Sequence, residues 1–264
     1  MFRALQTAAL GMSAQQMSVD NIANNLANVN TTGFKKSTIA FQDLFYQTIN
    51  GSDSGSTASG TGSSATDLQI GLGSRPAATI RNFSQGSLQN TGNPLDMAVS
   101  GQGFFQVLQP DGSVAYTRDG TFTLNSDGTL VNSSGLPLAS QIQVPPNTQS
   151  VQITKDGTIN AMLQGQTQPV NLGQLQLARF VNPEGLRALG DNLYAPTVAS
   201  GQPYLGTAGS DGFGSIEQGY LENSNVDIVN EMVSLITAQR AYEINSKMIQ
   251  TADQMMSLTN AIKQ

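Results

Sequence analysis

Among its 264 residues the sequence has no cysteine, no histidine and no tryptophan. Without histidine there is no Ser-His-Asp chemistry, little zinc chemistry and no ordinary imidazole pH switch. Without cysteine there are no disulfides, thiolate metal sites or thiol nucleophiles, which suits a chain that meets an oxidising space without disulfide staples. Charge is scarce as well: 11% of residues are charged, against roughly 25% in an average globular domain. Polar surface must therefore come from Ser, Thr, Asn, Gln and Gly. The net charge is −6 and Lys35-Lys36 is the only basic pair. No cluster exists that could neutralise a run of phosphates, so nucleic acid is excluded as a partner. Apolar runs fall far short of the ~20 residues of a membrane span. The N-terminal stretch MFRALQTAALGMSAQQM is too polar at its centre for a cleaved secretory signal. No direct membrane insertion is expected, and any export is expected to proceed without a cleaved signal peptide.

Helical spacing dominates both ends. Phe2, Leu5, Ala9, Met12, Gln16, Val19, Ala23, Leu26 and Asn30 follow a 3,4 repeat and predict a helix over 2–30. Gly11 in its middle lets another backbone come close, and Thr31-Thr32-Gly33 is its stop signal. At the other end, residues 226–262 carry two adjacent seams. One is Leu235, Ala238, Tyr242, Asn245, Ile249, Ala252, Met256; the other is Ala241, Ile244, Met248, Thr251, Met255, Leu258, Ile262. Asn223-Ser224-Asn225 supplies an N-cap, and Asp227 and Glu231 suit the positive end of the helix dipole.

Between the helices the period changes. Residues 34–49 are mixed, part helical or extended, and GSDSGSTASGTGSSATD at 51–67 has the composition of a flexible linker. From about residue 68 the pattern alternates, with Asp-Gly pairs at 111–112, 119–120, 127–128 and 156–157. These predict short strands joined by tight turns; residues 200–219 read as loop. The expected fold is α+β: a coiled-coil-like helical bundle from 1–30 and 226–264, a connecting region of 31–74 and 201–225, and an all-β domain over 75–200.

The two seams on the last helix have a consequence. The N-terminal helix can fill one, and the other requires a second chain, which points to self-association of many copies. The asparagines of NIANNLANVN bear on the same point. Each costs about 0.6 kcal/mol of helix propensity relative to alanine. Asn21, Asn25 and Asn28 form an amide stripe beside the apolar stripe Ile22, Leu26, Val29. Amides both donate and accept, so stacked identical helices could satisfy one another along that stripe without like-charge repulsion. The alternative is a solvated face at a fraying helix end.

ANNLANVNTTGFKK at 23–36, NSNVDIVNEMVSLITAQRAYEINSKMIQTADQM at 223–255, and GSRPAATIRNFSQGSLQNTGNPLDMAVSGQGFFQVLQPDG with YTRDGTF in the middle resemble the bacterial flagellar rod and hook proteins, the distal-rod family above all. The resemblance covers nearly the whole chain. It implies a structural axial protein whose terminal helices line the inner tube around an export channel, with the β domain outside. The resulting rigid shaft crosses the periplasm to the outer membrane and transmits torque from motor to hook. It further implies proximal rod proteins, hook protein, ring proteins and the flagellar export apparatus as partners. Asn24, Gly33, Phe34 and Lys35 fall in the signature at the joint after the first helix. In that family the segment after the first helix, here 31–75, is tied to rod straightness.

Asp111, Asp119 and Asp127 lie eight apart with no adjacent second carboxylate, which suits turns and not a calcium loop. A carboxylate-based hydrolase using Asp111, Asp119 or Glu184 lacks an apolar surround to tune a pKa. No cofactor, metal or catalytic residue is expected. A secreted β-rich binding protein and a proximal rod or short hook-type subunit are the remaining alternatives. Arg240, Glu243 and Lys247 pair either within one helix or, given the scarcity of charge, between subunits. Lys35 and Lys36 are expected to be solvated and Phe34 to anchor the joint.

Overall fold

The computed structural model describes residues 2–48, 69–166 and 168–262. The Gly/Ser/Thr run at 51–67 lies outside them. Helix α1 (Phe2–Ala27) and helix α2 (Ile228–Ile262) stand at the two ends, with short strands between. The chain divides into two compact units. A helical unit takes residues 1–24, 37–80 and 228–264; a β unit takes 25–36 and 81–227. Neither is contiguous, and the chain passes between them four times.

In the helical unit, α1 buries Ala8, Ala14 and Ile22, and α2 buries Ala238. Gly11 faces the Asn245 side chain of α2, where an added Cβ would lie 3.0 Å from its amide nitrogen. Small residues allow this approach, as the sequence suggested for Gly11. The mixed stretch after α1 is extended and not helical. Ser37–Asp43 pairs with Ser74–Arg81, and Tyr46–Thr48 pairs antiparallel with Gln69–Gly71.

Helix α1 stops three residues before the expected end. Asn28 N–H donates to Asn25 O and Val29 N–H to Leu26 O, so the last turn tightens to i→i−3 bonds. Asn28 Oδ1 accepts from Thr31 Oγ1, a local alternative to helix of the kind asparagine favours.

The β unit is a set of short antiparallel pairs around two cores. Its widest sheet orders Arg187–Gly190, Leu193–Ala195, Val114–Thr117 and Phe105–Leu108. Beside it Thr148–Ile153, Thr158–Leu163 and Val170–Gln174 form a three-stranded sheet. One core packs Met97, Val99, Phe105, Phe122, Leu177 and Ile216 among others. A second is aromatic: Phe104, Tyr116, Phe180 and Tyr194, with Phe83 against them in edge-to-face contacts.

Three of the chain's five Asp-Gly pairs make hairpin turns. Gly112, Gly128 and Gly157 have φ of +82°, +74° and +81°, and their N–H groups close turns onto Gln109, Asn125 and Thr154. Asp119-Gly120 is different. Gly120 serves close packing: a Cβ there would lie 1.5 Å from Met97 O.

The stretch 200–219 is not loop throughout. Tyr204–Thr207 pairs with Gln176–Arg179, Ser215–Gln218 with Met97–Ser100, and Tyr220–Glu222 with Leu88–Asn90. Two of its glycines mark close contact, Gly206 under the Phe213 ring and Gly214 against Ser100 O, while Gly201, Gly209, Gly212 and Gly219 supply positive φ at bends. Partners so distant in sequence leave no local periodicity to read.

Gly120→Ala is expected to destabilise the β unit by about 1–3 kcal/mol, the usual cost of forced overlap in a packed core. Urea unfolding followed by tyrosine fluorescence measures it; an unchanged midpoint would show that the Met97 strand can move aside.

Candidate assembly surface and junction

The first seam of α2 is largely covered within the chain. Leu235, Asn245, Ile249, Ala252 and Met256 are half-buried and Ala238 is buried, with Tyr242 exposed. The second seam is open. Ile244 is 60% exposed, Met248 51%, Met255 57%, Leu258 63% and Ile262 86%. Val229, Val233 and Ile236 extend it towards the helix start. An apolar line of this length on one helix is far beyond scattered surface hydrophobics.

On α1 the buried line is not the one the large apolar residues trace. It runs through Ala8, Gly11, Gln15, Ser18, Ile22 and Asn25, all buried or half-buried. In the line inferred from sequence, Ala9, Gln16 and Ala23 are exposed, and Leu5, Met12, Val19 and Leu26 are half-buried at its flank, as is Val29 beyond the helix end. The physical reason is close approach: small side chains bring the neighbouring element in, and bulky ones are pushed to the edges.

The amide stripe is corrected as well. Asn21 uses both ends of its amide within the chain, Nδ2 donating to Ser37 O at 2.7 Å and Oδ1 accepting from Ser37 Oγ at 2.6 Å. Asn25 is buried, Asn28 is engaged with Thr31, and Asn24 is exposed. These asparagines fix the turn out of α1, so Asn21 and Asn28 do not form a free ladder for neighbouring copies. Arg240 and Glu243 pair within one helix turn at 2.9 Å, both exposed, and Lys247 is exposed. Such a pair contributes only ~0.3–0.5 kcal/mol.

The joint holds the most ionic site. Gly33, at φ +67°, donates its N–H to Glu222 O at 2.7 Å. Phe34 is buried, as expected of an anchor. Lys35 is 0% exposed, which corrects the expectation that it is solvated. Its Nζ bonds Glu222 Oε1 at 2.5 Å and Ser84 O at 2.8 Å. Glu222, 1% exposed, also accepts Gly86 N–H at 2.9 Å. Its second oxygen meets Arg118 Nη1 at 3.4 Å. Arg118 is 4% exposed, donates to Val99 O and Gly101 O, and lies 5.2 Å over the Phe104 ring.

Two cations thus share one buried carboxylate. Burial pushes the Lys35 ammonium below its ordinary value, with Glu222 pulling the other way and Arg118 adding to the fall. Arg118 is lowered by the same burial, again opposed by Glu222. Nothing in the sequence paired Glu222 or Arg118 with Lys35. The usable signal was scarcity: in a chain so poor in charge, Arg118 within YTRDGTF and Glu222 beside NSNVDIV stand out. Asp111 and Asp156 hold turns, accepting from Ser113 and from Thr154 and Thr158, and these bonds keep both carboxyls below the usual range.

Three family models match the chain: "Flagella basal body rod protein" over residues 5–35, "Flagellar hook protein FlgE/F/G D1 domain" over 98–161, and "Flagellar basal body rod FlgEFG protein C-terminal" over 217–262. The flagellar basal-body rod protein FlgG of Buchnera aphidicola subsp. Acyrthosiphon pisum is 49% identical, across 97% of this chain and 98% of the relative. The chain belongs to the FlgG family of flagellar basal-body rod proteins. The FlgG proteins of Borreliella burgdorferi, 48% identical over 100% of this chain and 99% of theirs, and of Caulobacter vibrioides, 46% identical over 99% of both, agree. As a member of this family, the chain is a structural axial component of the flagellum. Lys35, Arg118 and Glu222 each fall in a different one of the three matched segments, so the family's three parts meet at one buried cluster.

Gly11→Ala is expected to be near neutral, because the Asn245 amide can shift and alanine favours helix by about 1 kcal/mol. Gly11→Leu should lower stability by about 1–3 kcal/mol as the helices are forced apart; helical circular dichroism during thermal unfolding separates the two.

The sign of the Lys35 shift is also testable. With its folded-state pKa lowered from 10.5, the unfolded chain binds more protons just below that value, so stability from this group rises with pH there. The stability of the wild type relative to Lys35→Met should grow as pH rises towards 10.5. A decline in urea titrations would show that pairing with Glu222 outweighs burial.

Proposed function

We propose that copies of this chain polymerise into the distal rod of the basal body, helical units side by side around an export channel and β units outside. The observation that carries this is the open seam of α2, Ile244 to Ile262. A lone soluble monomer has no use for such a line. Against a neighbour's helix each of these side chains gains on the order of 1 kcal/mol, and the gain accumulates with every added copy. The scarcity of charge supports the same reading, since identical helices brought together carry few like charges to repel one another. The half-buried Leu5, Met12, Val19 and Leu26 at the flank of α1 supply apolar surface for further neighbours, and the first seam of α2, Leu235 to Met256, holds its own α1. Rotation is then carried by many small contacts. Neighbours of the rod in this reading are proximal rod proteins, hook protein and the ring proteins around it, and the subunit reaches its place through the flagellar export apparatus. Among the described residues no helix is long and apolar enough to cross a membrane.

The double variant Met248→Asp/Leu258→Asp should keep the monomer's unfolding free energy within about 0.5 kcal/mol of wild type, as exposed substitutions do. It should fail to restore swimming to cells that lack the chain. Restored swimming with normal rods in electron micrographs would remove the open seam from the assembly.

A further inference from the structure

The chain crosses between its two units at 24/25, 36/37, 80/81 and 227/228. Residues beside three of these crossings converge in the β unit on one network. After α1 come Gly33, Lys35 and Lys36; after the strand Ser74–Arg81 come Asn82, Ser84 and Gly86; before α2 come Glu222, Asn223 and Asn225. Lys35 Nζ bonds Ser84 O and Glu222, and Glu222 in turn takes Gly86 N–H. Asn225 Oδ1 accepts Lys36 N–H at 2.7 Å while its Nδ2 donates to Asn82 O and Ser84 O. Asn82 N–H donates to Lys36 O, and Asn223 N–H to Ser87 O. The fit is close: a Cβ on Gly86 would lie 2.0 Å from Asn223 O, and one on Gly33 2.7 Å from Asp119 N.

Lys35 adds something that stability alone does not require. Arg118 and Glu222 already balance one another, so the second cation leaves the pocket with an excess positive charge. Buried ion pairs are weak contributors to stability and are best attested as devices that fix register. Lys35 reaches both of the other passages at once, as Glu222 and Asn225 do from the third, and it is the one charged donor among the three.

We propose that Lys35 is a positioning residue for assembly: with Glu222 it clamps the exit of α1, the passage at 82–86 and the approach to α2 into one fixed bundle. The clamp forms within one chain, before any neighbour is present. It fixes where the chain enters and leaves the β unit on its way from one terminal helix to the other. This rests on the rod reading only for its cellular readout; the clamp itself is tested on the purified chain.

The test uses the full-length chain and Lys35→Met. Methionine keeps the bulk, and the balanced Arg118–Glu222 pair remains. Hydrogen–deuterium exchange is measured at peptides covering 33–36, 82–86 and 222–225, with the strands Met97–Ser100 and Phe105–Leu108 as reference, beside swimming in cells lacking the native chain. The expected result is exchange at least about tenfold faster in all three segments, reference strands unchanged, and swimming lost. Lys35→Arg, which keeps charge and donors, should restore both. Faster exchange confined to 33–36, or none, overturns the clamp. Loosened segments with normal swimming overturn the positioning role. Should Lys35→Met unfold the reference strands, Glu222→Asp serves instead: it shortens the bridge and must loosen the same three segments, or the proposal falls. If deleting the chain leaves swimming intact, the rod reading fails and the exchange result still stands.

Discussion

A carboxylate sealed from water must be answered by its surroundings, and much of the β unit is arranged around the one on Glu222. Removing a charge from solvent costs several kcal/mol unless hydrogen bonds and counter-charges replace the water. Here the replacements come from three distant places: an ammonium from the end of the first helix segment, a guanidinium from the strand Val114–Thr117 and its exit, and a backbone N–H at Gly86. Each must be delivered to within hydrogen-bond reach, which fixes backbone position there. The absence of a side chain at Gly86 and the left-handed turn at Gly33 follow from that demand. Asn82 then joins the same passages through its main chain and Asn225 through its side-chain amide.

The helical unit works on the opposite principle. It has few charges and a thin core, and its closest contact is made by absence, Gly11 against Asn245. Small residues carry the inward face while methionine, isoleucine and leucine remain outward on α2. In a monomer this arrangement wastes apolar surface. On the polymer reading proposed above it divides the labour: the small face closes the chain on itself and the large face is left for the next copy.

The parts of this architecture that showed in the sequence are those with local signals. The 3,4 spacing announced both helices, and Asp-Gly pairs announced three hairpins. The α+β class followed from the change of period between them. What stayed hidden was non-local or was written in residues without hydrophobic character. Ala8, Gly11 and Ser18 do not register as a seam, yet they occupy the buried line. Asn21 looked available until Ser37 was placed beside it. Gly120 imitated a turn because Asp-Gly is the same dipeptide whether it bends a hairpin or admits a neighbouring carbonyl. Lys35 read as one of two surface lysines because its partner, Glu222, lies near the other end of the sequence.

The interleaving of the two units governs the order in which the molecule can mature. The inward face of α1 is covered by Asn245 and its neighbours from the last helix, and the strand Met97–Ser100 waits for Ser215–Gln218. Contacts between such distant parts form slowly, because a long loop must close before any of them is rewarded. A chain delivered from its N-terminus therefore remains incomplete in both units until almost its whole length has emerged. Hairpins such as the one closed at Gly112 can form early. The helix pair cannot, and the open apolar seam of α2 is complete only when that last element has formed. Timing is thereby built into connectivity: on the reading proposed above, the surface that meets the next copy is finished last.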